Sequence, residues 1–118
     1  MSTWQVVYTK QAELDLRYIY EYIAFSLLAP TIAGKQTRRI MDGVAKLNQL
    51  PLRYQLYDKE PWRSKGLRVL PIDNYLVFYL PVESQKTAAV IRIMYGGRNL
   101  EEQLNRTEVD IDNEKALD

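Results

Sequence analysis

The sequence predicts an α+β domain of element order β-α-α-β-β-β, in which a helical hairpin covers a small antiparallel meander. Three observations predict it. The 118 residues fit one domain. Apolar residues recur at helical spacing in the first half. The second half carries three β-branched and aromatic runs separated by turn residues.

Trp4 to Tyr8 alternates as a short strand. Thr9 has the chemistry of a helix cap, since its hydroxyl can accept a bond from a first-turn amide, and Glu13 adds negative charge near the start. Leu16, Ile19, Tyr20 and Ile23 follow as one apolar stripe. A loop is expected around Phe25 to Ala29, and Pro30 suits the first residue of a second helix. Ala33, Ile40, Val44 and Leu47 form its inner face, and Pro51 ends it. The strands are expected at Leu67 to Leu70, Tyr75 to Leu80 and Thr87 to Met94. Asn99 with Glu102 resembles a helix start, so Leu100 to Leu104 is a short terminal helix. This gives a domain over residues 1–105 and an acidic, mobile tail over 106–118.

Composition bounds the chemistry. With no Cys and no His, thiol nucleophiles, Cys/His zinc sites and imidazole bases are excluded, and no metal or cofactor is expected. No segment approaches the ~20 apolar residues of a membrane span, so a soluble, cytoplasmic protein is expected. The net charge of +1 hides a division: residues 1–100 carry 14 Lys/Arg against 8 Asp/Glu, whereas residues 101–118 carry 2 against 7. A basic body suits a polyanionic or acidic partner.

Three stretches could carry function. The loop from Tyr57 to Gly66 sets Lys59, Arg63 and Lys65 around Trp62, a pattern that suits a nucleic-acid backbone with a stacked base; alone, it reads more readily as a solvated loop with Trp62 folded onto the core. Arg68 shares a strand face with Leu70, opposite Leu67 and Val69. Arg92 sits inside an apolar strand and needs either a carboxylate or an open groove. Beyond it, Gly96 and Gly97 turn the chain between Tyr95 and Arg98, where a hydroxyl and a guanidinium could orient a ribose and neutralise a phosphate. The aromatics Tyr18, Tyr20, Tyr22 and Phe25 on the first helix read as core or interface.

Taken in order, Ala12-Glu13-Leu14-Asp15-Leu16 through Ile23, Gly66-Leu67-Arg68, Asn74-Tyr75-Leu76-Val77-Phe78-Tyr79 and Arg92-Ile93-Met94-Tyr95-Gly96-Gly97-Arg98-Asn99 resemble the RelE/ParE toxin superfamily, the plasmid stabilisation proteins, over roughly residues 4–104. The resemblance implies a helical hairpin on a small curved antiparallel sheet and a toxin neutralised by a cognate antitoxin. RelE-like members cut mRNA on the ribosome, and on that reading Arg68, Tyr95 and Arg98 are catalytic, with Lys59, Trp62, Arg63, Lys65 and Arg92 binding the target. Glu60 resembles the general base of YoeB-like interferases. ParE-like members inhibit DNA gyrase. Leu76, where many interferases carry Arg, together with the run Asn74 to Tyr79, places this chain nearer to ParE. A binding module of the same fold without toxicity is the third reading; oligomeric state is open.

Overall fold

The computed structural model describes residues 3–97 and 99–107. Arg98 and the tail from residue 108 onward lie outside the described residues.

The first strand, β1 (Gln5–Tyr8), leads through Thr9 into α1 (Lys10–Glu21). Thr9 caps that helix as its chemistry predicts, its Oγ1 accepting from the Ala12 amide at 3.2 Å. The expected loop is partly helical: Tyr22–Ser26 continue α1 as one wider turn before the chain reverses into α2 (Pro30–Ala45), with Pro30 in its first turn. Ala33, Thr37, Ile40 and Val44 are the buried face of α2. Where α2 crosses the sheet, a Cβ on Gly43 would lie 2.5 Å from Ile72 Cδ1, so the Ile72 side chain packs directly against the helix backbone there.

Two elements are additional to the sequence expectation: the two-residue strand β2 (Gln55–Leu56) and the one-turn helix α3 (Trp62–Lys65). Gly66, at φ 88°, ends α3 in the left-handed conformation that glycine adopts without strain. There follow β3 (Arg68–Ile72), β4 (Tyr75–Val82), β5 (Thr87–Tyr95) and α4 (Leu100–Asn105). Asn99 precedes α4 in the left-handed region and makes no side-chain cap, unlike the capping expected of it.

The sheet has five strands in the order β1-β5-β4-β3-β2. It is antiparallel except at one edge, where β1 runs parallel to β5. Both faces are covered. Under α1 and α2 lie Leu70, Val77, Tyr79, Ala88, Val90 and Ile93 with Ala12, Ile40, Val44 and Leu47. On the reverse face, Trp62, Leu67, Phe78, Leu80, Ile91, Met94 and Leu104 form a second cluster beneath α3 and α4. Ile91 is an extra residue opposite the step from Phe78 to Tyr79, a bulge that lets Val90 and Ile93 face the helices while Ile91 and Met94 face the reverse side. Among the described residues no helix is long and apolar enough to cross a membrane.

Candidate functional site

The strand β5 is paired on both sides only as far as Val90, because β1 ends at the Tyr8–Val90 pair. Thr9 closes that ladder, donating its amide to the Val90 carbonyl at 3.0 Å, and the chain then departs into α1. Among the described residues, the outer edge of β5 from there to Tyr95 has no strand neighbour.

Two side chains meet that edge, the first being Thr9, whose hydroxyl donates to the Ile91 carbonyl at 3.3 Å. Asp15, in the second turn of α1, accepts the Ile93 amide at 2.9 Å and takes Arg92 in a two-point pair, Nε to Oδ2 at 2.7 Å and Nη2 to Oδ1 at 2.9 Å. Both side chains are nearly buried, at 13% and 10% exposure. The remaining guanidinium nitrogen, Nη1, donates to the Gln103 carbonyl in α4 and to the hydroxyl of Thr107 just beyond it. Arg92 therefore has its carboxylate partner, and it fastens α1, β5 and α4 together instead of presenting its charge to solvent.

Beyond this pair lies a groove of about 950 Å³ between α1 and the free edge of β5, walled by Tyr18, Ile19, Tyr22, Leu27, Ile93 and Tyr95. It continues onto an apolar surface at the hairpin tip. Tyr18 is 75% exposed, Phe25 68%, Leu28 82% and Ile32 61%. Residues of this size, gathered at one end of the molecule, mark an interaction surface. Tyr95 stands at the rim, exposed, with its ring edge-to-face against Tyr75. Burial, with the Tyr95 and Tyr22 hydroxyls nearby, pushes the Tyr75 hydroxyl above its usual range.

The other sequence-selected residues lie elsewhere, and several serve the fold. Arg68 sits on the face of Leu70, as its alternation predicts, but its Nη1 donates to the carbonyls of Leu52, at 2.9 Å, and Tyr54. Beside it the Tyr79 hydroxyl donates to the Pro51 carbonyl, and burial pushes that hydroxyl up to about 12 against a smaller opposing effect of Arg68. Together they pin the segment between α2 and β2 to the sheet. Trp62 is 3% exposed, its indole nitrogen bonded to Asn105 at 3.0 Å, so its ring packs the reverse-face core and offers no surface for a base to stack on. That is the core-packed arrangement which the loop by itself favours, and it leaves the Trp62 ring out of base stacking. Lys65 lies over the Trp62 ring at 5.0 Å, Lys59 is 3.8 Å from Glu101, and Arg63 is exposed. Glu60 accepts the Ser64 amide at 3.0 Å, and that bonding holds its carboxyl below the usual range, which suits a helix cap better than a general base. Tyr95 lies on the groove side and Arg68 at the β2 side of the sheet; Arg98 lies outside the described residues.

Sequence reasoning missed Asp15. It lies at the spacing of Tyr18, Ile19 and Tyr22 in α1, an acid in register with residues that line the groove, and that placement was the available signal.

A helical hairpin and a one-turn reverse cover on a five-stranded sheet define a toxin fold of the RelE/ParE kind. Residues 6–100 match the family described as ParE toxin of type II toxin-antitoxin system, parDE, and the chain belongs to that family. Several solved structures share its fold, among them the following three. The chromosomal ParDE system of P. aeruginosa aligns at 20% identity and TM-score 0.68, covering 80% of this chain and 98% of that one. The toxin-antitoxin complex RelBE2 of Mycobacterium tuberculosis aligns at 18% identity and TM-score 0.57, covering 79% and 98%. An arginine-to-alanine double mutant of the E. coli toxin RelE in the free state aligns at 7% identity and TM-score 0.58, covering 89% and 93%. Among curated protein sequences there is no match.

Proposed function

We propose that this toxin is held by a cognate antitoxin at the groove beside β5 and acts on DNA gyrase, without cutting RNA. The observation that carries the mechanism is the engagement of Arg68 and Arg92. Stabilising a phosphoryl transition state calls for preorganised cations aimed at the reacting phosphate, whereas these two guanidiniums are bonded to backbone carbonyls and to Asp15. Trp62 is buried, and Glu60 is bonded to the turn it caps. Inhibiting a protein target needs only surface, and the tip provides it.

For the antitoxin, support comes from the groove and its aromatic rim, together with two fold neighbours that are a ParDE toxin-antitoxin system and a RelBE2 toxin-antitoxin complex. A peptide segment that orders on binding gains most from rigid aromatic anchors such as Tyr18, Tyr22 and Phe25. The basic balance of residues 1–100 suits an acidic peptide.

Ribosome-dependent mRNA cleavage is favoured by one feature, the exposed Tyr95 beside the Gly96–Gly97 turn. Purified protein assayed in parallel for gyrase supercoiling and for toeprints on translating ribosomes separates the readings. Inhibited supercoiling with intact mRNA is expected. A-site cleavage abolished by Tyr95→Phe would reverse the assignment, and silence in both assays would leave the non-toxic binding module.

A further inference from the structure

We propose that the tip of the helical hairpin is a contact between two copies of this chain, each covering the other's apolar patch in the free toxin. The contact does not rest on the reading of target or antitoxin; an antitoxin seated as proposed would cover Tyr18 and Tyr22 and so displace the second copy.

Six large side chains crowd the tip. Tyr18, Tyr22, Phe25, Leu27, Leu28 and Ile32 are each more than half exposed. At the areas usual for such side chains they present roughly 800 Å² of surface, about what each partner gives to a standard interface. A monomer that lives alone in water seldom shows so large an apolar patch.

The turn that displays them is strained. Leu28 stands at φ 56°, in the left-handed region that disfavours residues with a Cβ, and its side chain is 82% exposed. Glycine or asparagine would make such a turn with less strain and would set no isobutyl group in water. Leucine is unfavourable there on both counts in a single copy, and a partner that buries it removes the second.

The pattern of charge selects the partner. No charged residue lies between Glu21 and Lys35. The centre of the tip therefore has nothing with which to recognise an acidic peptide or a polyanion, whereas it can meet its own copy without like charges opposing each other. The flanks are complementary. Glu21 lies one turn before Phe25 at the end of α1, Lys35 lies one turn after Ile32 in α2, and both are exposed. In a two-fold contact every pairing is made twice with the roles exchanged. Setting α1 of one copy beside α2 of the other brings Glu21 against Lys35 at both ends of the patch, with the apolar side chains between them.

The test is sedimentation velocity of the full-length chain, without antitoxin, over a concentration series. The parent is expected to pass from monomer to dimer as its concentration rises through the micromolar range. Leu28→Asp and Ile32→Asp should each weaken the dimer about tenfold or more with the melting temperature unchanged, since both positions are exposed and aspartate tolerates a left-handed backbone. Glu21→Lys and Lys35→Glu should each weaken it as well. An equimolar mixture of those two variants should regain the parent's affinity, because only the mixed pair again opposes acid to base at both ends. A parent that stays monomeric throughout the micromolar range, a dimer that Leu28→Asp and Ile32→Asp leave intact, or a mixture no tighter than its two components would overturn the proposal.

Discussion

The two halves of β5 show what a strand needs and how differently the same need is met. From Thr87 to Val90 the backbone is sealed between β1 and β4, and the side chains Ala88 and Val90 are fully buried. From Arg92 to Tyr95 the β1 side is replaced by a single carboxylate, and the surface opens into an apolar groove. The paired half holds the domain together. In the open half Asp15 satisfies the Ile93 amide and the Arg92 guanidinium, so that the groove beside them is walled mainly by aromatic and aliphatic side chains.

The sharpest way to break this contrast is to remove the carboxylate. Asp15→Ala strands Arg92 in a nearly buried position and leaves the Ile93 amide unsatisfied, so a loss of about 3 kcal/mol is expected, as for removal of one partner of a buried ion pair. Urea unfolding measures it, and a loss below about 1 kcal/mol would show that water replaces Asp15 readily.

A smaller effect is expected on the far side of the sheet. Tyr79→Phe removes the bond to the Pro51 carbonyl and should cost about 1 kcal/mol at neutral pH. Its signature lies in alkali. Burial raises the folded-state value from 10.0 to about 12, so the neutral hydroxyl is the form the fold favours. The associated stability is complete below pH 10.0 and is lost as pH rises through about 12. Thermal melts of the parent should decline across that window more steeply than those of Tyr79→Phe, and parallel curves would refute the assignment.

The smallest effect belongs to Lys59. Its pair with Glu101 is long and solvent-exposed, with side-chain exposures of 53% and 52%, so Lys59→Ala should change stability by less than about 0.5 kcal/mol. A larger loss would reveal that the pair helps to hold α4 over the reverse face.

Much of this fold was legible in the sequence because its signals are local. The Thr9 cap, the inner face of α2 and the alternation of Leu67, Arg68, Val69 and Leu70 each follow from spacing within a few residues. What escaped is nonlocal or too short. The parallel union of β1 with β5 joins residues about eighty positions apart, and β2 is only two residues long, below any periodic signature. The site divides in the same way. The apolar strand around Arg92 shows that it needs either a carboxylate or an open groove, but that a carboxylate meets the need, and that it is Asp15, depends on how α1 crosses the edge. Trp62 and Arg68 were singled out by residue type, yet both are drawn inward by groups that only the folded chain brings near: Asn105 for the indole, and the carbonyls of Leu52 and Tyr54 for the guanidinium.

The central claim is that the open half of β5 and its aromatic rim form the antitoxin site. The most direct measurement is the dissociation constant of the cognate antitoxin for Tyr18→Ala and Phe25→Ala beside Arg63→Ala. The first two should each weaken binding at least tenfold, about 1.4 kcal/mol, with the melting temperature unchanged, and Arg63→Ala should bind within a fewfold of the parent. Unaltered affinity in both aromatic variants, with binding lost in Arg63→Ala, would contradict the account and move the site to the reverse face.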